Sequence, residues 1–418
     1  MIVGELPAGK SNFFLKVPTP FVSVNNLIVW FSTVCCLNRQ LFGTRAHLIL
    51  PTYPILFIFA ALKTRLFVAK KNKKKLGRWL TISGFLLAIV FAVRAYNIYG
   101  DVKKPNVDLK GRKTACIYVR TGSTYSDVVK MLKDSCYVVD IESFDWVARQ
   151  KNYPQLVKAG RFKIKDGMSN NQLINMLRGG VQEPVKITIN KTRSIKRIAE
   201  MIGSKLEADE LDLYDLLTDN QYLSKFGKTR ETAFTLFISD TYYFNWNTSA
   251  KEFVERMYAE TQKFWDDDRQ AKAKAVKLTP DEVYTLASIV EEETLKNDEK
   301  PDVAGVYLNR MRIGMPLQAD PTVKFAVGDF EIKRILNKHL TVDSPYNTYK
   351  HKGLPPGPIC IPSKSSIDAV LNYNKHKYLY FCAKDDFSGY HAFARNLIEH
   401  NVNAEKYRKA LNKNRIYK

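Results

Sequence analysis

The sequence predicts an α+β protein in three parts: an N-terminal transmembrane anchor, a small α/β subdomain and a larger mixed α+β domain. Three observations carry this expectation. A basic run leads into one apolar stretch of membrane-spanning length. A strand–turn–helix pattern then recurs. Beyond it, amphipathic helices are followed by a long Pro/Gly-rich loop and a closing strand–turn–strand.

The 418 residues have room for two or three domains, and 45% hydrophobic and 26% charged residues are ordinary for a folded chain. The formal net charge of +23 is not ordinary, and it points to an anionic partner: nucleic acid, an acidic membrane surface or a negatively charged wall polymer. No zinc-finger spacing, RNP motif or Walker loop accompanies the charge, so nucleic acid is not expected. Cys35, Cys36, Cys116, Cys136, Cys360 and Cys382 form no CxxC and no metal spacing with histidine. They are expected to be buried free thiols, with no metal and no cofactor.

In "KKNKKKLGRWLTISGFLLAIVFAVRAYNIYG" (residues 70–100) a basic run precedes the apolar stretch 79–93. Arg94 interrupts it near the outer end, where a long side chain can snorkel. Trp79, Tyr96 and Tyr99 occupy the interfacial positions, framing about one bilayer thickness. The lysines should stay cytoplasmic, which sends everything after Tyr99 outside. No small-residue cleavage site follows, so a retained anchor (68–100) is expected in preference to a signal peptide or a core helix. Residues 1–67 form an N-terminal extension with two shorter apolar patches, 26–37 and 48–62, readable as membrane segments, as an interfacial stretch or as residues upstream of the true translation start.

"TGSTYSDVVKML" (121–132) aligns without gaps on "DGMSNNQLINML" (166–177), and "KTRSIKRIAEMI" (191–202) joins them from Ser194 onward. Each follows an alternating strand-like run, "CIYVR", "GRFKIK" or "VKITIN", and Thr124, Ser169 and Ser194 stand where a helix N-cap belongs. The uneven spacing indicates a duplicated small α/β unit over 113–205, not a solenoid. Such a unit suits a binding module or a brace for its neighbour. A connecting helical region, 206–276, comes next.

"LTPDEVYTLASIVEEET" (278–294) opens with a capping box, Thr279 and Glu282, and Pro280 at the first helical position. At about 100° per residue, Val283, Leu286, Ala287, Ile289 and Val290 share one arc. Glu292 points almost opposite and should be solvated. Glu291 lies off the edge, and Glu293 falls within the packed arc. A carboxyl on that side is disfavoured as an anion, so its pKa should rise, the property a general acid needs. Alone, the same glutamate reads more readily as a helix end paired with a lysine or capping a neighbouring loop. In the next helix, "PDVAGVYLNRMR", Val303, Val306, Tyr307 and Arg310 share a face. "SPYNTYKHKGLPPGPICIPS" (344–363) has few apolar residues and is expected to line a site and not fill a core. The closing strand and turn return through His391 and Phe393, and the whole set suggests a carbohydrate site.

The segments "ASIVEEET", "VYLNRMRIGMPLQADPTV", "SPYNTYKHKGLPPGPICIPS", "YLYFCA" and "HAFARNLIEHN" occur in the order seen in the YceG-like family of endolytic murein transglycosylases, also known as MltG, which this chain resembles over about three quarters of its length. "LFISDTYYF" (236–244) is similar to the family's FPDTY segment, with Ser239 where proline is usual, and residues 1–67 have no counterpart. The resemblance implies that the repeats are a LysM-like subdomain and that 277–413 is a catalytic domain whose acid/base is Glu293. It implies cleavage of MurNAc-β-1,4-GlcNAc bonds within glycan strands, closing a 1,6-anhydroMurNAc ring and terminating elongation. The enzyme would sit in the bacterial inner membrane by a single pass, with peptidoglycan synthases as working partners. By motif membership, Gln318, Asp320, Thr322, Tyr346, Asn347 and Thr348 are candidates for orienting the sugar, flanked by His391 and Phe393. Each of these is equally a candidate for bracing its own loop. Two other readings stand beside this one: a two-carboxylate hydrolase pairing Asp320 with Glu293, and a non-catalytic glycan-binding scaffold.

Overall fold

The computed structural model describes residues 73–332 and 335–414, so the apolar patches 26–37 and 48–62 lie outside the described residues. The chain forms two compact units, Met1–Tyr96 and Asn97–Lys418. Helix α1 (Lys73–Lys103) contains the apolar span Gly77–Lys103, 27 residues, in which an 18-residue window has mean hydropathy 1.7 and is not covered by protein. It is long and apolar enough to cross a membrane.

Strand β1 (Thr114–Val119) leads into α2 (Tyr125–Ser135) and α3 (Ile141–Gln150). Strand β2 (Gly160–Lys165) then pairs antiparallel with β1, Tyr118 facing Arg161, and continues into α4 (Asn170–Gly179). The repeat logic is visible in the backbone. Thr124 and Ser169 close capping boxes with Asp127 and Gln172, and the aligned glycines Gly122 and Gly167 both adopt left-handed φ, +80° and +73°. Alternation buries Ile117, Val119, Phe162 and Ile164 against Leu132, Phe144, Leu173 and Leu177, one small core.

The third copy does not join that core. Its strand β3 (Val185–Ile189) and helix α5 (Ile195–Gly203, capped by Ser194) are followed by α6 (Glu210–Thr218), α7 (Asn220–Leu223) and β4 (Asp240–Phe244). Strand β4 pairs antiparallel with β3, so Ile187, Ile189, Ile198 and Ile202 belong to the larger core. Local sequence makes the three units alike. The strand partner, 50 residues away, separates them. At Ser239 the hydroxyl donates to Ile189 O at 3.1 Å, which ties the start of β4 to the end of β3.

The larger core is completed by α8 (Ala250–Phe264), α9 (Asp267–Ala275), α10 (Pro280–Glu293), α11 (Lys300–Arg312), α12 (Asp320–Val327) and, after the single turn α13 (Asn337–Leu340), which has no buried residue, α14 (Lys364–Leu371). Strands β5 (Tyr380–Ala383) and β6 (His391–Ala394) form an antiparallel pair with Ala383 opposite His391, and α15 (Leu397–Lys413) closes the chain. Helix α10 is the centre of this arrangement: every residue from Val283 to Val290 is buried, including Thr285 and Ser288, whose hydroxyls bond to carbonyls one turn back.

The 344–363 loop corrects one expectation. Its second half is not a site lining: Gly357 to Pro362 are all buried. Ile359 N donates to Ser288 Oγ at 3.0 Å and Ile361 N to Thr192 O at 3.0 Å, so backbone hydrogen bonds let a loop poor in apolar side chains serve as core. A Cβ at Gly357 would fall 2.0 Å from Glu231 O. Gly357→Ala is therefore expected to cost roughly 1–3 kcal/mol, read as a lower denaturant midpoint; an unchanged midpoint would show that the two backbones part easily. The thiols also divide: Cys360 is buried, whereas Cys136 is exposed in a left-handed helix cap.

Candidate active site

Helix α10 starts as its sequence dictates: Thr279 Oγ1 accepts from Glu282 N, and Glu282 reaches back to Thr279 N at 2.7 Å. Its far end carries Glu291, Glu292 and Glu293, and the structure sends them to three different places. Glu291 accepts from Ser363 Oγ (2.5 Å), Ser366 Oγ (2.6 Å) and Lys300 Nζ (3.0 Å). Burial alone would raise its pKa, but these bonds and the Lys300 charge outweigh it and hold the carboxylate below its ordinary value. Glu292 was expected to be solvated and is not. Its side chain is 9% exposed and sits between Arg193 Nη2 (2.5 Å) and Lys191 Nζ (3.1 Å), which keep its pKa low against the pull of burial. The wheel failed here because α10 is buried all round, so its polar arc meets protein where an amphipathic surface helix would meet water.

Among the described residues, neither a lysine nor an arginine is bonded to Glu293. Tyr307 Oη donates to its Oε1 at 2.5 Å, from the face of α11 that also carries Arg310. The residue keeps a partial exposure while its carboxyl is enclosed by protein. Burial drives its pKa from 4.5 to about 7; the Tyr307 bond and the Arg310 charge pull it down, and the Asp320 and Glu292 charges push it up. A carboxyl poised there can give a proton and take one back near neutral pH. Tyr307→Phe removes a bond that favours the anion, so the pKa of Glu293 should rise further. The alkaline limb of the rate–pH profile is expected to move to higher pH, and a limb moving down would contradict this assignment of causes.

Around Glu293 the other candidates fall into two groups. Asp320 opens α12 and accepts from Tyr349 Oη at 2.6 Å; the Asp320 charge acts on Glu293, and the Glu293 charge in turn helps raise the Tyr349 pKa. Gln318 is exposed, with its backbone left-handed at φ 50° and its N–H bonded to Thr348 O. Tyr346 is half-buried and packs its ring 4.7 Å from Phe325. His391 and Phe393, alternating on β6, reach the Tyr307 neighbourhood through Phe381, whose ring centroid lies 5.9 Å from Tyr307, 5.2 Å from His391 and 6.1 Å from Phe393.

In the second group, Thr322, Asn347 and Thr348 are buried and their polar atoms engage their own loops. Thr322 Oγ1 and Thr348 Oγ1 lie 2.8 Å apart, and Thr348 Oγ1 also accepts from Ala319 N at 3.0 Å. Asn347 Nδ2 donates to Leu340 O and Val342 O. These three brace the loops that carry Gln318, Asp320 and Tyr349.

Four neighbours carried no separate site assignment from the sequence. Tyr307 and Arg310 were legible only as members of one helix face. Arg310 is buried, donating to Leu379 O (2.6 Å) and Leu317 O (2.7 Å), and burial lowers its pKa. Tyr349 lay inside a quoted motif with nothing to separate it from Tyr346. Glu299 sits in a charged turn that reads as solvated, yet it is buried and binds His391 Nδ1 (2.8 Å) and Thr294 Oγ1 (3.0 Å).

Comparison with known proteins shows what the chain is similar to. The chain is 29% identical over 326 residues to a Bacillus subtilis protein named endolytic murein transglycosylase, covering 74% of this chain and 89% of that one. A Streptococcus pneumoniae protein of the same name is 28% identical over 335 residues, covering 72% of this chain but 60% of the longer relative. A crystal structure of a yceG-like protein from Listeria monocytogenes shares 28% identity and covers 69% of this chain and 98% of that one, with a TM-score of 0.47. The profile of the YceG-like family matches residues 117–406, well over half of the sequence, and the chain belongs to that family.

Proposed function

We propose that this chain is an endolytic murein transglycosylase that cleaves MurNAc-β-1,4-GlcNAc bonds inside glycan strands. The observation that carries the reading is Glu293, an enclosed carboxyl with a pKa of about 7 and a tyrosine hydroxyl as its hydrogen-bond partner. The names of the curated relatives support it.

The chemistry needs one group in two protonation states. Protonated Glu293 gives its proton to the glycosidic oxygen as the C1–O bond breaks and GlcNAc leaves with a free 4-hydroxyl. The positive charge developing at C1 is relieved by the sugar's own N-acetyl oxygen. The carboxylate of Glu293 then takes the proton of the MurNAc C6 hydroxyl, O6 bonds to C1, and a 1,6-anhydro ring closes. Glu293 ends protonated, no water is consumed, and a pKa near 7 serves both steps.

In this reading Asp320, Gln318, Tyr346, His391 and Phe393 contact the glycan, while Thr322, Asn347 and Thr348 hold the loops. Helix α1 anchors the chain in the inner membrane with the lysines inside and the catalytic domain outside, beside the synthases whose strands it shortens. The LysM-like identity of the repeats rests on the motif resemblance and, for the first two units, on the shared capping boxes at Thr124 and Ser169.

A second reading has one observation in its favour: Asp320 acts on Glu293 and would be the partner carboxylate of a hydrolase. Product mass separates the two. Transglycosylase fragments from purified sacculi are one water lighter than hydrolysis products, and reducing-end sugars would overturn the proposal.

A further inference from the structure

Helix α10 ends against electrostatic preference. Its last turn carries three glutamates and no basic residue, although the C-terminus of a helix is its negative end and favours cations. The compensating charges come from elsewhere. Lys300 on α11 serves Glu291, and the loop between β3 and α5 serves Glu292.

Three consecutive residues of that loop grip the surroundings of the site. Lys191 Nζ donates to the carbonyl of Glu291 at 3.3 Å, one of the terminal carbonyls the helix itself leaves unpaired. Thr192 O accepts from Ile361 N. Arg193 forms a two-point pair, Nε to Glu292 Oε1 at 2.8 Å and Nη2 to Oε2 at 2.5 Å. The same guanidinium stands 5.1 Å over the ring of Phe330, which continues through Phe325 (6.3 Å) to Tyr346 (4.7 Å from Phe325) on the loop that carries Tyr349.

We propose that Arg193 is a positioning residue for the reaction: it ties the turn bearing Glu293 to the Phe330–Tyr346 wall and so holds the proton donor in register with the bound glycan. The proposal rests on the transglycosylase reading above. Arg193 touches neither Glu293 nor the sugar. Its action passes through the neighbouring Glu292, whose planar carboxylate matches the planar guanidinium at two points, a fit that lysine cannot reproduce.

The electrostatic consequence has a definite sign. Glu292 faces Arg193, Lys191, Cys360 and Glu293, while Glu293 faces Tyr307 and Arg310 from α11, Asp320 from α12, Tyr349 and Glu292. Removing the Arg193 cation leaves the Glu292 anion less compensated, so Glu293 should hold its proton to higher pH. Removing the Glu292 anion should do the opposite.

The test uses the full chain on purified sacculi, with rate against pH and thermal midpoint measured in parallel. Arg193→Met should lower kcat by about tenfold to a hundredfold and move the alkaline limb up. Arg193→Lys should bring the limb back while recovering only part of kcat. Arg193→Met combined with Glu292→Gln leaves no unpaired carboxylate and serves if the single variant does not fold. It should keep the kcat defect with the limb at or below its wild-type position. Wild-type kcat in the double variant would overturn the proposal. So would a kcat loss in Arg193→Met that tracks the thermal midpoint with the limb unmoved, since a purely structural role predicts that result. Absence of anhydro products from the wild type would instead sink the transglycosylase reading itself.

Discussion

The Glu293→Gln enzyme is expected to release anhydro-ended fragments from sacculi on the order of 10²–10⁴-fold more slowly than the wild type, because glutamine can neither give nor accept the transferred proton. The substitution is nearly isosteric, and an amide oxygen can still accept the Tyr307 hydroxyl, so the loss should appear in kcat with little change in glycan binding. Wild-type release of anhydro fragments by this variant would remove Glu293 from the mechanism.

The same substitution has a thermodynamic signature. The folded pKa of Glu293 is about 7 and its ordinary value is 4.5, so the native state binds the proton more tightly than the unfolded chain. Stability from this group is complete below the unfolded pKa and is lost as pH rises through the folded one. The wild type should therefore lose about 2–3 kcal/mol between about pH 5 and pH 8 from this group, at 1.36 kcal/mol per pKa unit. Glu293→Gln should not show that loss. Chemical denaturation of both proteins at the two pH values measures it, and parallel slopes would show that the carboxyl is not desolvated.

Lys300→Met is expected to have the largest effect on stability, about 3–5 kcal/mol. Lys300 and Glu291 form a pair at 3.0 Å with side chains 4% and 12% exposed, and Lys300 also reaches Ser363 Oγ and Ser365 Oγ. Removing the cation leaves the Glu291 carboxylate buried with only hydroxyls and one amide as partners. Here the sign is opposite to that of Glu293. The pKa of Glu291 is depressed, so its stabilisation is present at neutral pH and disappears as pH falls through the folded value. A double variant, Lys300→Met with Glu291→Met, should recover much of the loss, because an apolar pair of similar volume carries no desolvation penalty. A single variant within about half a kcal/mol of the wild type would mean that water reaches Glu291.

The two glutamates next to Glu293 mark the boundary between what was legible in sequence and what was not. Local rules settled the N-caps at Thr124, Ser169 and Ser194, the capping box at Thr279, the strand alternation and the hairpin returning through His391. The 100° wheel put Glu293 on the packed side of α10, and the structure encloses its carboxyl there. The wheel erred at Glu292, because periodicity measures a helix against water and α10 has almost none around it. Tyr307, Tyr349, Glu299 and Arg193 lie 14, 56, 6 and 100 positions from Glu293, beyond any local pattern, and they reach its surroundings only through chain folding.

Sequence alone determined the elements of this protein: a membrane-length helix, capped units with strands before them, and a helix whose last glutamate falls on its packed side. These depend on interactions within about four residues or on strand alternation. Tertiary structure alone decided that the third unit belongs to the larger core, that half of the Pro/Gly-rich loop is buried, and which charge each glutamate meets. Pairing and desolvation depend on groups brought together from across the chain, and those two effects set the pKa of Glu293.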